Sequence, residues 1–185
     1  AGFKIGIKEW DNDLKMTMLG RFQTQKMLRQ MVKAGCTHAI IETSSQGILQ
    51  SRHIGINYDV AVLTNLTPEH IEAHGSYENY LAAKCLFFKD ALNSSKKDKY
   101  IIVNEAMRDR ECFEIVSEVN YFSRENFIRE DLAQRYSLSS DEAKKLVSGW
   151  LQNDLNLENV AAAVAFAKSQ NISWDIIFKT LESFK

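Results

Sequence analysis

The chain has 185 residues, 45% of them hydrophobic and 25% charged, with a formal net charge of −1. This is the composition of a globular protein long enough for one substantial core. Near-neutral charge argues against nonspecific nucleic-acid binding, which needs a basic surface, and no run reaches the roughly 18 apolar residues of a membrane-spanning helix. No basic start followed by an apolar stretch marks a secretory signal, so the expected setting is the cytoplasm, with neither nucleic acid nor membrane as partner. The cysteines Cys36, Cys85 and Cys112 show no Cys-x-x-Cys spacing. They give no disulfide framework or zinc site, and Cys36 and Cys85 read as small core residues of a reducing compartment.

In chain order, Phe3 to Ile7 alternates apolar and Lys/Gly residues and predicts a strand, followed by polar, irregular sequence over 8–20. Phe22, Met27, Leu28, Met31 and Val32 fall near helical spacing, and Gly35 follows as the residue that ends a helix. Thr37 to Ile41 is a short β-rich run closed by Glu42. Ser44-Ser45 then opens a helix. Tyr58 to Leu63, closed by Thr64-Asn65, and Tyr100 to Val103, closed by Asn104, read as buried strands. Thr67-Pro68 has the form of a cap with proline in the first helical position. Ser76 caps a long helix running to about Leu92. Helices are also expected over Leu138–Val147, Val160–Gln170 and Trp174–Phe184, the last capped by Ser173; residues 123–154 are otherwise the least readable. Strands alternating with helices predict an α/β fold, a mostly parallel sheet flanked by helices. In such sheets ligands lie at the carboxyl ends of the strands, where Glu42, Thr64-Asn65 and Asn104 fall.

Several side chains in this layout can carry chemistry. Glu42 at a strand end is either a solvated carboxylate or one paired with a metal, since an unpaired buried carboxylate is costly. His70, in the first turn after Thr67, is either a surface histidine or a ligand kept neutral by the positive end of the helix dipole. Lys84 interrupts a stripe of Tyr77, Tyr80, Leu81 and Phe88. It either snorkels to water or is desolvated with a lowered pKa. At an ordinary pKa near 10.4 only about one amine in a thousand is neutral at physiological pH. Burial raises that fraction, and a neutral amine can add CO₂ to become a carbamate, an anionic metal ligand. Ser44, Gln50 and Arg52 could hold an anion, with phosphate suited to the helix opened by Ser44-Ser45. Otherwise Ser44 is a cap and Arg52 a surface residue. Asn156 and Asn159 could cap the alanine-rich helix or read a base edge.

Four runs together resemble the central, ATP-using domain of the Mur ligase family. They are Glu42-Thr43-Ser44-Ser45-Gln46-Gly47-Ile48 with Arg52, the run Thr64 to Gly75, Tyr80-Leu81-Ala82-Ala83-Lys84, and Asn156-Leu157-Glu158-Asn159 followed by alanines. The resemblance implies that residues 1–185 are part of a P-loop NTPase-like central domain, with the family's N-terminal and C-terminal domains outside the chain. It implies Glu42, His70 and a carbamylated Lys84 as Mg²⁺ ligands, with Lys84 and His70 serving catalysis. Thr17, Ser44, Gln50 and Arg52 would contact the substrate, Asn159 would approach the adenine of ATP, and Asn104 would lie near the nucleotide. The implied reaction is amide formation between UDP-MurNAc-L-Ala-D-Glu and a diamino acid or other amino acid, a step of peptidoglycan precursor synthesis. An acyl phosphate forms first, and the amine then displaces phosphate.

The sequence also departs from the family pattern. It contains no G-x-x-G-K-[ST] phosphate loop, Met18 stands where a second threonine is usual, and the usual Asp pair after Asn104 is missing. The resemblance implies that the loop belongs before a helix that ends near the equivalent of Ala1-Gly2, and that the chain alone neither binds ATP well nor turns over. Two other readings stand beside the first. One is a related ligase of the cyanophycin or folylpolyglutamate synthetase type, against which His74-Gly75 and the Ser44 to Arg52 run favour the muropeptide branch. The other is a non-catalytic module that binds a UDP-sugar-peptide or a partner protein.

Overall fold

The computed structural model describes residues 2–13, 16–67, 71–107, 109–113, 119–133, 137, 139 and 153–183. It divides into two compact units. The first comprises Ala1–Asn57 with Pro68–Ser95, the second Tyr58–Thr67 with Lys96–Lys185.

The second unit carries the expected α/β architecture. Strands β3 (Val60–Leu63), β4 (Tyr100–Asn104) and β5 (Val119–Phe122) form a parallel sheet in the order β3-β4-β5. Val60 lies opposite Tyr100, and Ile101 opposite Val119. Central strand β4 is buried on both faces at Ile101, Ile102 and Val103, as a middle strand covered by helices must be. The Ile102 face is covered by α5 (Arg124–Asn126), continued by the π-helical turn Phe127–Ala133, and then by α6 (Asp154–Ser169) and α7 (Trp174–Ser183). Phe122, Phe127, Leu132, Val160, Val164 and Phe178 close the core against Ile102.

Helix α6 starts six residues before the expected Val160, because Asn153 supplies the cap: its Oδ1 accepts from the Leu155 N–H at 2.9 Å. The capping role considered for Asn156 is thereby corrected. Strand β5 and the turn after it were not legible in the sequence. The helix expected over 138–147 lies, apart from Ser139, outside the described residues.

The first unit holds a hairpin of β1 (Gly2–Ile5) and β2 (Lys8–Asp11), so the strand expected to reach Ile7 turns back two residues earlier. Next come α1 (Arg21–Lys33), α2 (Ser45–Leu49), α3 (Ile71–His74) and α4 (Tyr77–Leu92). Helix α1 ends where Gly35 predicts. Gly35 adopts φ 76°, its N–H donates to Val32 O at 3.0 Å, and the Cys36 N–H reaches Met31 O at 3.0 Å. The apolar positions of α1 are less covered than their spacing suggests: Phe22 is 93% exposed and Val32 74%.

The strand expected over Thr37–Ile41 is absent. That run is irregular, Ile40 is 87% exposed, and no ladder pairs with it among the described residues. β-propensity alone forms no strand without a neighbour to receive its hydrogen bonds. Of the cysteines expected in the core, Cys36 is a half-buried free thiol. Among the described residues no helix is long and apolar enough to cross a membrane.

Candidate functional site

In the first unit, α2 and α4 pack together and carry most of the chemistry-bearing residues. Ser44 caps α2, its Oγ accepting from the Gly47 N–H at 3.2 Å. The helix closes on Gln50, and Ser51 follows in the left-handed region at φ 54°. The Ser51 N–H donates to Ile48 O at 2.8 Å, and the Arg52 N–H to Gly47 O at 2.9 Å. That closure turns Arg52 back along the helix. Its guanidinium donates to Gln50 Oε1 and to the Met18 carbonyl, with Met16 Sδ 3.5 Å from Nη1.

The approach is tight on the other side too. A Cβ placed on Gly47 would lie 2.6 Å from Met18 Sδ and 3.1 Å from Ser44 Oγ, so a side chain there would force Met18 to shift. The segment around Thr17 and the run from Ser44 to Arg52 thus form one local cluster. Thr17 and Gln50 are exposed, while Ser44 and Arg52 are half-buried. The structure also gives Ser44 the capping role weighed in the sequence. Helix α2 is only five residues long.

Lys84 sits on α4, whose first turn is capped as expected: Ser76 Oγ accepts from the Asn79 N–H at 3.2 Å. The buried face runs through Tyr80, Ala83, Phe87, Phe88 and Ala91, and Lys84 lies within it, one turn from Tyr80 and one from Phe88. It is half-buried, with Nζ 5.8 Å from the centroid of the Tyr80 ring. Glu42 is exposed, in the irregular segment two residues before the α2 cap, not at the end of a strand. His70 and the proline cap before it lie outside the described residues.

Among the described residues no group of three His, Cys, Asp or Glu could hold a metal ion. Lys84 as an ammonium repels a cation, so Glu42 and Lys84 as they stand do not make a metal site. Glu42 offers the oxygen donor that Mg²⁺ prefers, and Lys84 could join it only as an anion.

In the second unit the strand ends are tied together through one amide. Asn104, 5% exposed at the end of β4, donates from Nδ2 to Thr64 O at 3.0 Å and to Glu158 Oε2 at 2.8 Å. Its Oδ1 accepts from the Ala106 N–H at 2.9 Å. Asn104 therefore binds the carboxyl ends of β3 and β4 to the first turns of α6, and both of its donors are used within the protein. Asn159, the next residue after Glu158, is exposed. Burial raises the Glu158 pKa, the Asn104 hydrogen bond opposes that shift, and the carboxylates of Glu125 and Asp154 add to it. Arg124, 2.6 Å from Asp154 and 2.8 Å from Glu125, offsets part of their charge. Glu158 was not singled out in the sequence. The only signal was its place between Leu157 and Asn159 in a recognised run.

The Mur ligase middle domain matches residues 1–167. Among curated relatives, the chain is 36% identical to a UDP-N-acetylmuramyl-tripeptide synthetase of Roseiflexus sp. (strain RS-1), over 55% of the chain and 22% of that protein. It is 32% identical to a UDP-N-acetylmuramoyl-L-alanyl-D-glutamate–2,6-diaminopimelate ligase of Halalkalibacterium halodurans, over 98% of the chain and 39% of the relative. A UDP-N-acetylmuramoyl-L-alanyl-D-glutamate–L-lysine ligase of Staphylococcus aureus (strain bovine RF122 / ET3-1) is 28% identical, over 86% of the chain and 34% of its own length. The chain thus spans well under half the length of the relatives it matches. Its sequence motifs, its parallel sheet and this coverage agree: the chain belongs to the Mur ligase family, within the middle domain.

Proposed function

We propose that this chain is part of an ATP-dependent amide ligase that adds an amino acid to UDP-MurNAc-L-Ala-D-Glu in peptidoglycan precursor synthesis. The observation that carries this reading is the clustering of the Thr17 segment with Ser44, Gln50 and Arg52 through the guanidinium of Arg52. That cluster presents hydroxyl, amide and guanidinium donors to an anionic, hydrogen-bonding substrate. The names of the relatives support the same substrate class.

In this reading the residues divide by task. Thr17, Ser44, Gln50 and Arg52 bind and orient the UDP-sugar-peptide. Asn159, held by the Glu158–Asn104 link, approaches the adenine of ATP, and Asn104 itself shapes the strand ends beside the nucleotide. Glu42, His70 and carbamylated Lys84 would hold Mg²⁺, which would supply charge neutralisation for phosphate and carboxylate. The substrate carboxylate oxygen bonds to the γ-phosphorus and ADP departs. The incoming amine then bonds to the acyl carbon, and phosphate leaves as the amine loses its proton.

The test is a titration of the chain with UDP-MurNAc-L-Ala-D-Glu followed by backbone amide shifts, which detect even millimolar binding. Shifts concentrated at residues 16–18 and 44–52 support the reading. A chain that shows none, or shows them only outside the first unit, removes it.

A further inference from the structure

The candidate substrate contacts ride on irregular backbone: a bend at Thr17, the edge of a five-residue helix at Ser44, and the turn that ends it at Gln50 and Arg52. Such backbone holds donors in place only where something rigid fixes it. Two buried histidines meet that need, one at each end of the run. His74 closes α3, and its Nε2 lies 2.9 Å from Ser45 Oγ, the residue next to Ser44. Both partners are buried, at 7% and 4% exposure, and the His74 ring meets Tyr80 edge-on at 5.4 Å. His53, next to Arg52, is 2% exposed. Its Nε2 donates to Asp90 Oδ2 on α4 at 2.8 Å, since a carboxylate there accepts, and its ring meets Phe87 edge-on at 5.8 Å.

Neither ring is a good choice for stability alone. In both, Nδ1 is buried and has no hydrogen-bond partner among the described residues. A half-satisfied polar ring costs desolvation that an aromatic hydrocarbon of similar shape would not. What an apolar ring lacks is the directional bond to Ser45 or to Asp90. Those two bonds join the ends of segment 44–52 to the α3–α4 pair, and Tyr80, Lys84, Phe87 and Asp90 follow one another along α4.

We propose that His53 and His74 are positioning residues that lock segment 44–52 onto α4 and thereby fix Ser44, Gln50 and Arg52 relative to Lys84. The proposal rests on the substrate assignment made above. Neither histidine touches substrate in it; each acts through its neighbour.

The experiment repeats the UDP-MurNAc-L-Ala-D-Glu titration on the same chain carrying His74→Phe or His53→Phe, with thermal midpoints measured alongside. These variants keep ring volume and the aromatic contact and remove the directional bond. The expected result is an apparent Kd raised about tenfold, the loss of roughly one good hydrogen bond, with a midpoint unchanged or higher. Ser44→Ala should then cost much less affinity in the His74→Phe background than in the unmodified chain, a coupling that a merely structural role would not produce. His74→Gln, whose amide still reaches Ser45, should bind better than His74→Phe, and it serves for the same cycle if the phenylalanine variant does not fold. Unchanged affinity in the histidine variants, or fully additive losses with Ser44→Ala, would overturn the proposal. An unmodified chain that fails to bind defeats the substrate reading itself, and that failure is seen before any variant is compared.

Discussion

The Arg52 guanidinium donates to the Met18 carbonyl across 34 positions of sequence. This bond makes one surface of two stretches that the sequence offers separately, the Thr17 segment and the turn after α2. Arg52→Ala should therefore weaken UDP-MurNAc-L-Ala-D-Glu binding at least tenfold, while costing about 1 kcal/mol of stability for the carbonyl left without its charged donor. Arg52→Lys should recover only part of the affinity, because an ammonium cannot reproduce the planar fork that serves Gln50 and Met18 together. Calorimetric titration and denaturant unfolding separate the two effects.

Gly47 is the close-approach point of the same surface. A methyl there would meet Met18 Sδ at 2.6 Å and Met18 Cβ at 3.2 Å, and Met18 is 2% exposed with little room to move. Gly47→Ala should destabilise the chain by about 1–3 kcal/mol and displace the carbonyl that Arg52 grips. Urea unfolding checks the first effect, and the amide shifts of residues 16–18 check the second.

Ser51 holds φ 54° between the two candidate contacts Gln50 and Arg52. A left-handed non-glycine residue costs about 1–2 kcal/mol, and glycine returns part of this as unfolded-state freedom. Ser51→Gly should raise stability by up to about 1 kcal/mol and leave the turn intact. A fall in thermal midpoint would show that the Ser51 side chain contributes something its backbone does not reveal.

Asn104 and Glu158 give a pH prediction. A carboxyl whose pKa is raised in the folded chain binds its proton more readily there than when unfolded. Its contribution favours folding below the ordinary value of 4.5 and is lost as pH rises through that value and then the folded one. Glu158→Gln keeps an oxygen acceptor for Asn104 and removes the charge, so it should flatten the decline in stability above pH 4.5. Asn104→Ala should instead cost about 2–3 kcal/mol, since Thr64 O, the Ala106 N–H and Glu158 all lose their partner. It should also raise the Glu158 pKa further. Stability measured against pH for both variants distinguishes these effects.

The fold was legible where one physical signal dominated. The run from Ser76 to Leu92, the glycine that ends α1 and the buried strand before Asn104 each follow from a cap, a left-handed position or an unbroken apolar stretch. Thr37–Ile41 misled because its β-branched and apolar residues promise a strand, and a strand also needs a neighbour that no local pattern names. Strand β5 was missed because Val119-Asn120-Tyr121-Phe122 is too short and mixed to stand out. At the candidate site the directly acting residues were legible as motifs. Their supports were not: His53 with Asp90, Ser45 with His74 and Glu158 with Asn104 are 37, 29 and 54 positions apart. Such pairs exist only once the chain has folded.

Lys84 carries the central claim, a ligase whose anionic site includes a lysine carbamate. The most direct measurement is ADP release by the full-length protein given ATP, Mg²⁺, UDP-MurNAc-L-Ala-D-Glu and either L-lysine or 2,6-diaminopimelate. The account predicts ADP formed in step with the amide product, a loss of at least about 100-fold on Lys84→Ala, in the range of losing one preorganised electrostatic group, and partial recovery with short carboxylic acids and bicarbonate. No product from the unmodified protein, or full activity in Lys84→Ala, would contradict it.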